Sequence, residues 1–143
     1  MPIEIIDLDE GRGNVIIGSG ILTGIEYIDE LKRHLAQDEE KLKAYLYSLT
    51  DYTAVTKVEE APTSVVRLSS ELCKRAATKN PDVSVAIVAD NDLLFGLSRM
   101  WEILMDTTGW ETKVFKARET AEIWIAKKLK EKFGVEHLAF GST

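Results

Sequence analysis

Apolar and polar positions follow two periods along this chain, and the periods mark its elements. "IEIIDLDEGRGNVIIGSG" sets two apolar runs around a Gly-rich, charged turn. That is the pattern of a hairpin, with strands over 3–8 and 13–20. Thr23 and Glu26 form a T-x-x-E capping box, with Leu22 and Tyr27 at the spacing of a hydrophobic staple. Ile25, Ile28, Leu31 and Leu35 then give the apolar stripe of a helix, which "QDEEK" ends. "LKAYLYSL" (42–49) predicts a third strand, and 50–62 reads as a loop. Pro62 stands where a helix can begin, with Val65, Leu68, Leu72 and Ala76 spaced to face a core, and "KNPD" breaks it. A strand over 83–88, a helix over about 91–107, a strand over 110–115 and a helix over about 118–133 follow. The last helix carries Ala121, Ile125, Leu129 and Phe133 on one stripe. "GVEHLAFGST" is a tail whose Val135, Leu138 and Phe140 can dock on the body or on a partner.

The order β-β-α-β-α-β-α-β-α predicts an α/β fold: one mostly parallel five-stranded sheet, an N-terminal antiparallel hairpin and four helices. A chain of 143 residues fits one domain, here 1–134 with a tail over 135–143. Composition leaves this picture unchanged, but charge narrows the partners. A net charge of −6 argues against nucleic acid, which needs a positive face. The single cysteine, Cys73, excludes an internal disulfide and a cysteine-based zinc site. No apolar run approaches the roughly 18 residues of a membrane span and no secretory leader is evident, so the expected location is the cytoplasm.

Catalytic motifs are sparse. After Gly11 and Gly13 the dinucleotide spacing fails at Ile16, and after Gly18 and Gly20 it fails at Thr23. No G-x-S-x-G elbow exists, and His34 and His137 read as solvated surface residues. Cys73 has no helix N-terminus beside it to lower its pKa and reads as a small core hydrophobe. No metal-ligand pattern and no cofactor motif stands out. Asp7, Asp9, Asp51 and Lys116 superficially match a receiver phosphoacceptor site. However, a receiver runs from its first strand into a helix, whereas "GRGN" leads here into another strand. Asp90 and Asp92 could serve acid–base work. Capping of the next helix by Asp90 or Asn91, with Asp92 against its positive end, is the simpler reading.

At "VAIVADNDLLFGLSRMWEIL", followed by "TKVFKARETAEIWI", the chain resembles the SpoIIAA-like proteins of the STAS fold group. Val85–Ala89, Phe95–Gly96, Arg99–Met100, Val114–Phe115 and Ala121 with Trp124 carry the resemblance, together with "GSGILTGIEYIDEL". It covers roughly residues 3–126. It implies helices mostly on one face of the sheet, and action as a protein–protein switch. Several such proteins also resemble CRAL-TRIO lipid-transfer domains, which implies an apolar ligand or membrane contact. The anti-sigma antagonists carry Asp-Ser-Ser-Gly after the third strand, with a phosphorylated serine at a helix start. Here Thr56-Lys57-Val58-Glu59 overlies that motif, without serine or glycine. Thr53, Thr56 and Ser64 are the substitutes on offer.

Independently of the family, Leu93, Leu94, Leu97, Met100, Trp101, Ile103, Leu104 and Met105 span about 200° of one helix. Ser98, Arg99, Glu102 and Asp106 gather opposite. So wide a stripe needs cover beyond one sheet face: a neighbouring helix, a second subunit or an apolar ligand. Phe95 on the polar side and Gly96, which costs about 1 kcal/mol against alanine, suggest contact there. Asp90, Asn91, Phe95, Gly96, Arg99 and Trp101 are the candidate ligand or partner residues. The expected function is a non-catalytic regulatory or adaptor module acting through protein partners, including a homodimer. The alternative is a binding protein for an apolar or lipid-like molecule. The "KKLKEK" end of the last helix allows at most a peripheral membrane contact.

Overall fold

The computed structural model describes residues 2–60 and 62–140. Strands β1 (Ile3–Leu8), β2 (Gly13–Thr23), β3 (Tyr47–Glu59), β4 (Ser84–Val88) and β5 (Glu111–Phe115) lie in one sheet in sequence order. β1 pairs antiparallel with β2, and every later pair is parallel. The hairpin turn runs through three consecutive left-handed residues, Asp9, Glu10 and Gly11.

Four long helices, α1 (Gly24–Leu35), α3 (Pro62–Lys79), α4 (Asp92–Met105) and α5 (Arg118–Phe133), surround the sheet, with a short α2 (Glu39–Lys43). The strand order explains the layers. Parallel crossovers are right-handed, and strands added always in one direction put successive helices on the same face. α1, α3 and α4 therefore share one face, where α3 packs between α1 and α4. α5 follows the last strand and returns across the other face, over β3, β4 and β5.

The α5 layer is the densest part of the core. Val15, Tyr47, Leu49, Ala86 and Val88 from the sheet meet Ala121, Ile125 and Leu129 of α5, all fully buried. α5 ends in an αL cap, with Gly134 left-handed and its N–H donating to the Lys130 carbonyl, while the Val135 N–H reaches the Leu129 carbonyl. The tail then docks on the body: Phe140 is buried edge-on to Tyr47, with Val135 and Leu138 packed beside it. The Ala139 N–H reaches Asp9 Oδ1 at 2.9 Å, and the Arg118 guanidinium donates to the Phe140 carbonyl at 2.8 Å. Residues 141–143 of the predicted tail lie outside the described residues.

Several expectations are corrected. The predicted strand over 42–49 begins only at Tyr47, because 39–43 close a helical turn braced by a Lys43–Glu39 pair. The predicted loop over 50–62 is mostly strand: β3 continues to Glu59, paired with a β2 that runs on to Thr23 through two irregularities. β4 accompanies β3 only as far as Asp51. The outer half of β3 therefore has one neighbour and leaves Thr53, Ala54, Thr56 and Lys57 exposed, which blurs its pattern. On α1, Ile25 is exposed. On α3 the core face is Ser69, Ser70, Cys73 and Ala77, one step round from the predicted stripe, and Leu68 is exposed. Small residues there let α3 sit close between its neighbours. Phe133 of α5 is exposed as well.

Candidate ligand-binding site

Central strands covered on both faces ordinarily read as continuous apolar runs. β2 and β3 break that rule on the face under α1, α3 and α4. Asn14 and Ser48 stand side by side in the parallel register there, and Thr50 follows at the next position of the same face. They are separated from the helices by a cavity of about 270 Å³. Its wall is otherwise mostly apolar, with Leu31, Val66, Val85, Ile87, Leu94 and Leu97 among the lining residues. α1 enters this wall under a cap: Thr23 Oγ1 accepts from the Glu26 N–H at 3.2 Å and donates to Glu26 Oε1 at 2.9 Å.

Two neutral polar clusters face the cavity. In the first, the Trp101 indole N–H donates to Ser69 Oγ at 3.2 Å, and Ser69 Oγ shares a hydrogen bond with the Tyr27 hydroxyl at 2.9 Å. Burial pushes the Tyr27 phenol up to about 12 and the Cys73 thiol beside it up to about 12. Both are protonated at neutral pH, and Cys73 is the buried hydrophobe expected of it. In the second, Ser48 donates to Asn14 Oδ1 at 2.6 Å. The Asn14 amide nitrogen lies 3.4 Å from His34 Nε2, and that of Gln37 lies 2.8 Å from His34 Nδ1.

His34 is thus a half-buried wall residue rather than a solvated one, because α1 turns it onto the ring of Tyr45. Amide N–H groups facing both ring nitrogens oppose an imidazolium, which has two N–H groups of its own to place. Burial lowers the His34 pKa, Asp7 opposes that shift and Lys41 adds to it. The consequence has a definite sign. Above the unfolded value near 6.5, neither state carries this proton. As pH falls through that value, the unfolded chain binds a proton that folded His34 resists, so stability drops until the folded group titrates too. Thermal midpoints measured between pH 7 and 5 should therefore decline less steeply in His34→Gln than in the parent protein. Equal slopes would remove His34 from the pH response.

The residues singled out in the sequence part company here. Trp101 alone is a buried cavity residue among them. Asn91 is the N-cap of α4, accepting from the Leu94 N–H at 2.8 Å, while Asp90 is exposed and Asp92 sits in the first turn. The Phe95 ring is half-buried beneath the Lys116 ammonium, 5.4 Å from its centroid. Arg99 pairs with Glu102 at 2.8 Å on the surface. Gly96 has open space where a Cβ would sit, so no element of the described chain approaches it closely. Ser98, expected on the polar side, lies in the middle of the buried stripe formed by Leu94, Trp101 and Met105. Leu93 and Ile103, expected on the apolar side, are 55% and 65% exposed.

Thr53 and Thr56 lie within β3 and not at a helix start, which undoes the overlay of the phosphoserine motif on Thr56–Glu59. The Thr53 hydroxyl donates to Asp51 Oδ1 at 2.7 Å. Ser64 is exposed in the first turn of α3. Of the lysines near the end of α5, Lys128 and Lys132 both pair with Glu111, holding its carboxyl below the usual carboxylate range.

The sequence reading missed Asn14, His34, Ser48 and Ser69, and used Tyr27 only as a staple. The available signal was polar residues in strands that the topology covers on both sides. Among the described residues, no helix is long and apolar enough to cross a membrane.

No protein-family model matches the chain. No curated protein matches it either. A solved structure does: an uncharacterised protein of the DUF3478 family with a SpoIIAA-like fold, from Shewanella loihica PV-4. The two superpose with a TM-score of 0.52 over 86% of this chain and 91% of that one, at 20% identity. The likeness is one of fold: this chain has the SpoIIAA-like architecture.

Proposed function

We propose that this protein is a non-catalytic binding module that holds a small apolar molecule between its sheet and helices α1, α3 and α4. The cavity of about 270 Å³ carries this reading. Protein interiors are close-packed, with few voids larger than a water molecule. The cleft opens to solvent, and an apolar occupant would displace water from its mostly apolar wall. For scale, an apolar cavity of about 150 Å³ takes up benzene. The wall supplies apolar contact with a few convergent polar groups, which is the ordinary make-up of a small-molecule site. Among its titratable members, Tyr27, Tyr52, Cys73 and His34 are shifted towards their neutral forms. That favours binding over proton transfer.

The outer face of α4 supports a second reading, contact with another copy of the chain. Leu93 and Ile103 are exposed there, with half-buried Met100 between them. One native mass spectrum of the purified protein addresses both readings. A retained small adduct, released on denaturation and apolar by extraction, is the result expected for the binding module. A bare dimer with no adduct, and no uptake of added apolar compounds, would favour the interaction module.

A further inference from the structure

Most polar side chains of the cavity wall have partners, and one that has none specifies the occupant further, given the binding reading above. Ser69 accepts from Trp101 and bonds Tyr27, Tyr27 bonds Tyr52 in turn, and Asn14 holds Ser48. Thr50 stands between these groups on the floor of the cavity, with Ser48 before it and Tyr52 after it on the same face of β3. It is only 7% exposed. Among the described residues its hydroxyl has no hydrogen-bond partner, yet it is not sealed in protein as the unpartnered hydroxyls of Ser84 and Thr112 are. The open space beside it is the cavity. The backbone around it is engaged in the ladders to β2 and β4. Ser98 of α4 is the other buried wall hydroxyl without a partner among the described residues. A helical serine can turn its hydroxyl onto the carbonyl one turn earlier, here that of Leu94. Thr50, on a strand, has no such recourse.

Solvent in an open cleft serves the Thr50 hydroxyl. A hydrocarbon that expels this solvent leaves the hydroxyl buried and unpaired, and that penalty is at least as large as the net gain from a hydrogen bond. The ionic lining residues offer nothing in its place. Glu39, Lys43, Glu59 and Lys79 are all exposed, with Glu39 paired to Lys43 and Glu59 to Lys57. We infer that the occupant is an oxygenated hydrocarbon, an alcohol or ketone of about two fused rings, whose oxygen takes the place of water at the Thr50 hydroxyl. A threonine hydroxyl both donates and accepts, so either oxygen suits it. Size enters through volume: the cavity is somewhat under twice the roughly 150 Å³ that accommodates one benzene.

Tetralin and its ketones 1-tetralone and 2-tetralone, which add one carbonyl oxygen at different places, test this. Their dissociation constants are measured for the full chain, for Thr50→Val and for Ser98→Ala. Valine keeps the shape of threonine, and no hydrogen bond within the described chain is lost, so Thr50→Val should fold with a thermal midpoint at or above the parent's. The ratio of the tetralin Kd to that of the tighter ketone should fall roughly tenfold in Thr50→Val, the scale of one hydrogen bond. Part of that fall comes from tetralin, which should bind Thr50→Val more tightly because it strands no hydroxyl there. The hydration of the free probes is common to all three proteins and drops out of the comparison. Ser98→Ala should keep the parent ratio to within about twofold. The carbonyl stretch of the bound ketone should lie at lower frequency in the parent than in an alkane solvent, a readout that stands without any variant, and should move back in Thr50→Val. Equal ratios in the parent and a folded Thr50→Val, a fall as large in Ser98→Ala, or an unshifted stretch in the parent would overturn the inference while leaving the binding module intact. Failure of tetralin and both ketones to bind would overturn the binding module as well.

Discussion

Replacing Gly13 with alanine is expected to lower the thermal midpoint by roughly 10 °C or to prevent folding. Gly13 is buried on β2 directly opposite Tyr47 on β3. A Cβ at that position would lie 1.9 Å from the Tyr47 ring. The ring has no room to swing away. Tyr47 is fully buried, its hydroxyl donates to Asp9 Oδ2 at 2.6 Å, and Phe140 meets it edge-on. The strands must separate or the ring must leave the α5 core. Overpacking costs typically about 1–3 kcal/mol and occasionally more, and a rigid aromatic wall puts this site at the upper end. About 3 kcal/mol corresponds to roughly 10 °C in a chain of this size. Gly96→Ala is the contrasting substitution. It lies in open space on a regular helix, so it should stabilise the protein by up to about 1 kcal/mol. Circular dichroism melts of both variants check the pair. A parent-like midpoint for Gly13→Ala would show that the β2–β3 contact is loose.

Ala76→Phe should abolish uptake of tetralin without loss of stability. Ala76 is a half-buried residue of α3 in the cavity wall, and a phenyl ring there occupies space an occupant would need. Filling a cavity commonly gains about 0.5–2 kcal/mol. The weaker helix propensity of phenylalanine offsets a few tenths to about 0.7 kcal/mol of that. The thermal midpoint should therefore hold or rise, while Kd for tetralin rises at least tenfold. Unchanged tetralin binding in the folded variant would place the ligand elsewhere. A sharp fall in stability would show that the cavity is narrower at α3 than its volume indicates.

The fold was legible because its strongest signals are local. The Thr23–Glu26 cap, the Asn91 cap, the "GRGN" turn and the apolar run at β4 each act over a few residues, and each stands where its pattern puts it. The resemblance carried by Val85–Ala89 and Phe95–Met100 leads to the SpoIIAA-like architecture that the superposition bears out. What failed depended on neighbours that no local pattern reveals. β3 looked like a loop from Thr50 on because beyond Asp51 it has β2 on one side and solvent on the other. α3 buries serines and a cysteine because its place between two helices rewards small side chains. The cavity was hidden for the same reason. Asn14 and Ser48 read as ordinary polar positions of strands and Thr50 as the start of a loop, and only the layering of three helices on one face makes them interior. Of the residues marked on α4, Trp101 reaches the cavity because it lies on the inner stripe with Leu94, Ser98 and Met105.

The most direct test of the binding module is a titration of the isotopically labelled full chain with tetralin, followed by two-dimensional NMR. Saturable shifts should gather at Leu31, Val66, Cys73 and the indole N–H of Trp101, which line the cavity from α1, α3 and α4. They should vanish in Ala76→Phe. Shifts confined to Leu93 and Ile103 on the outer face of α4, or none that saturate, would contradict a ligand between the sheet and its helices.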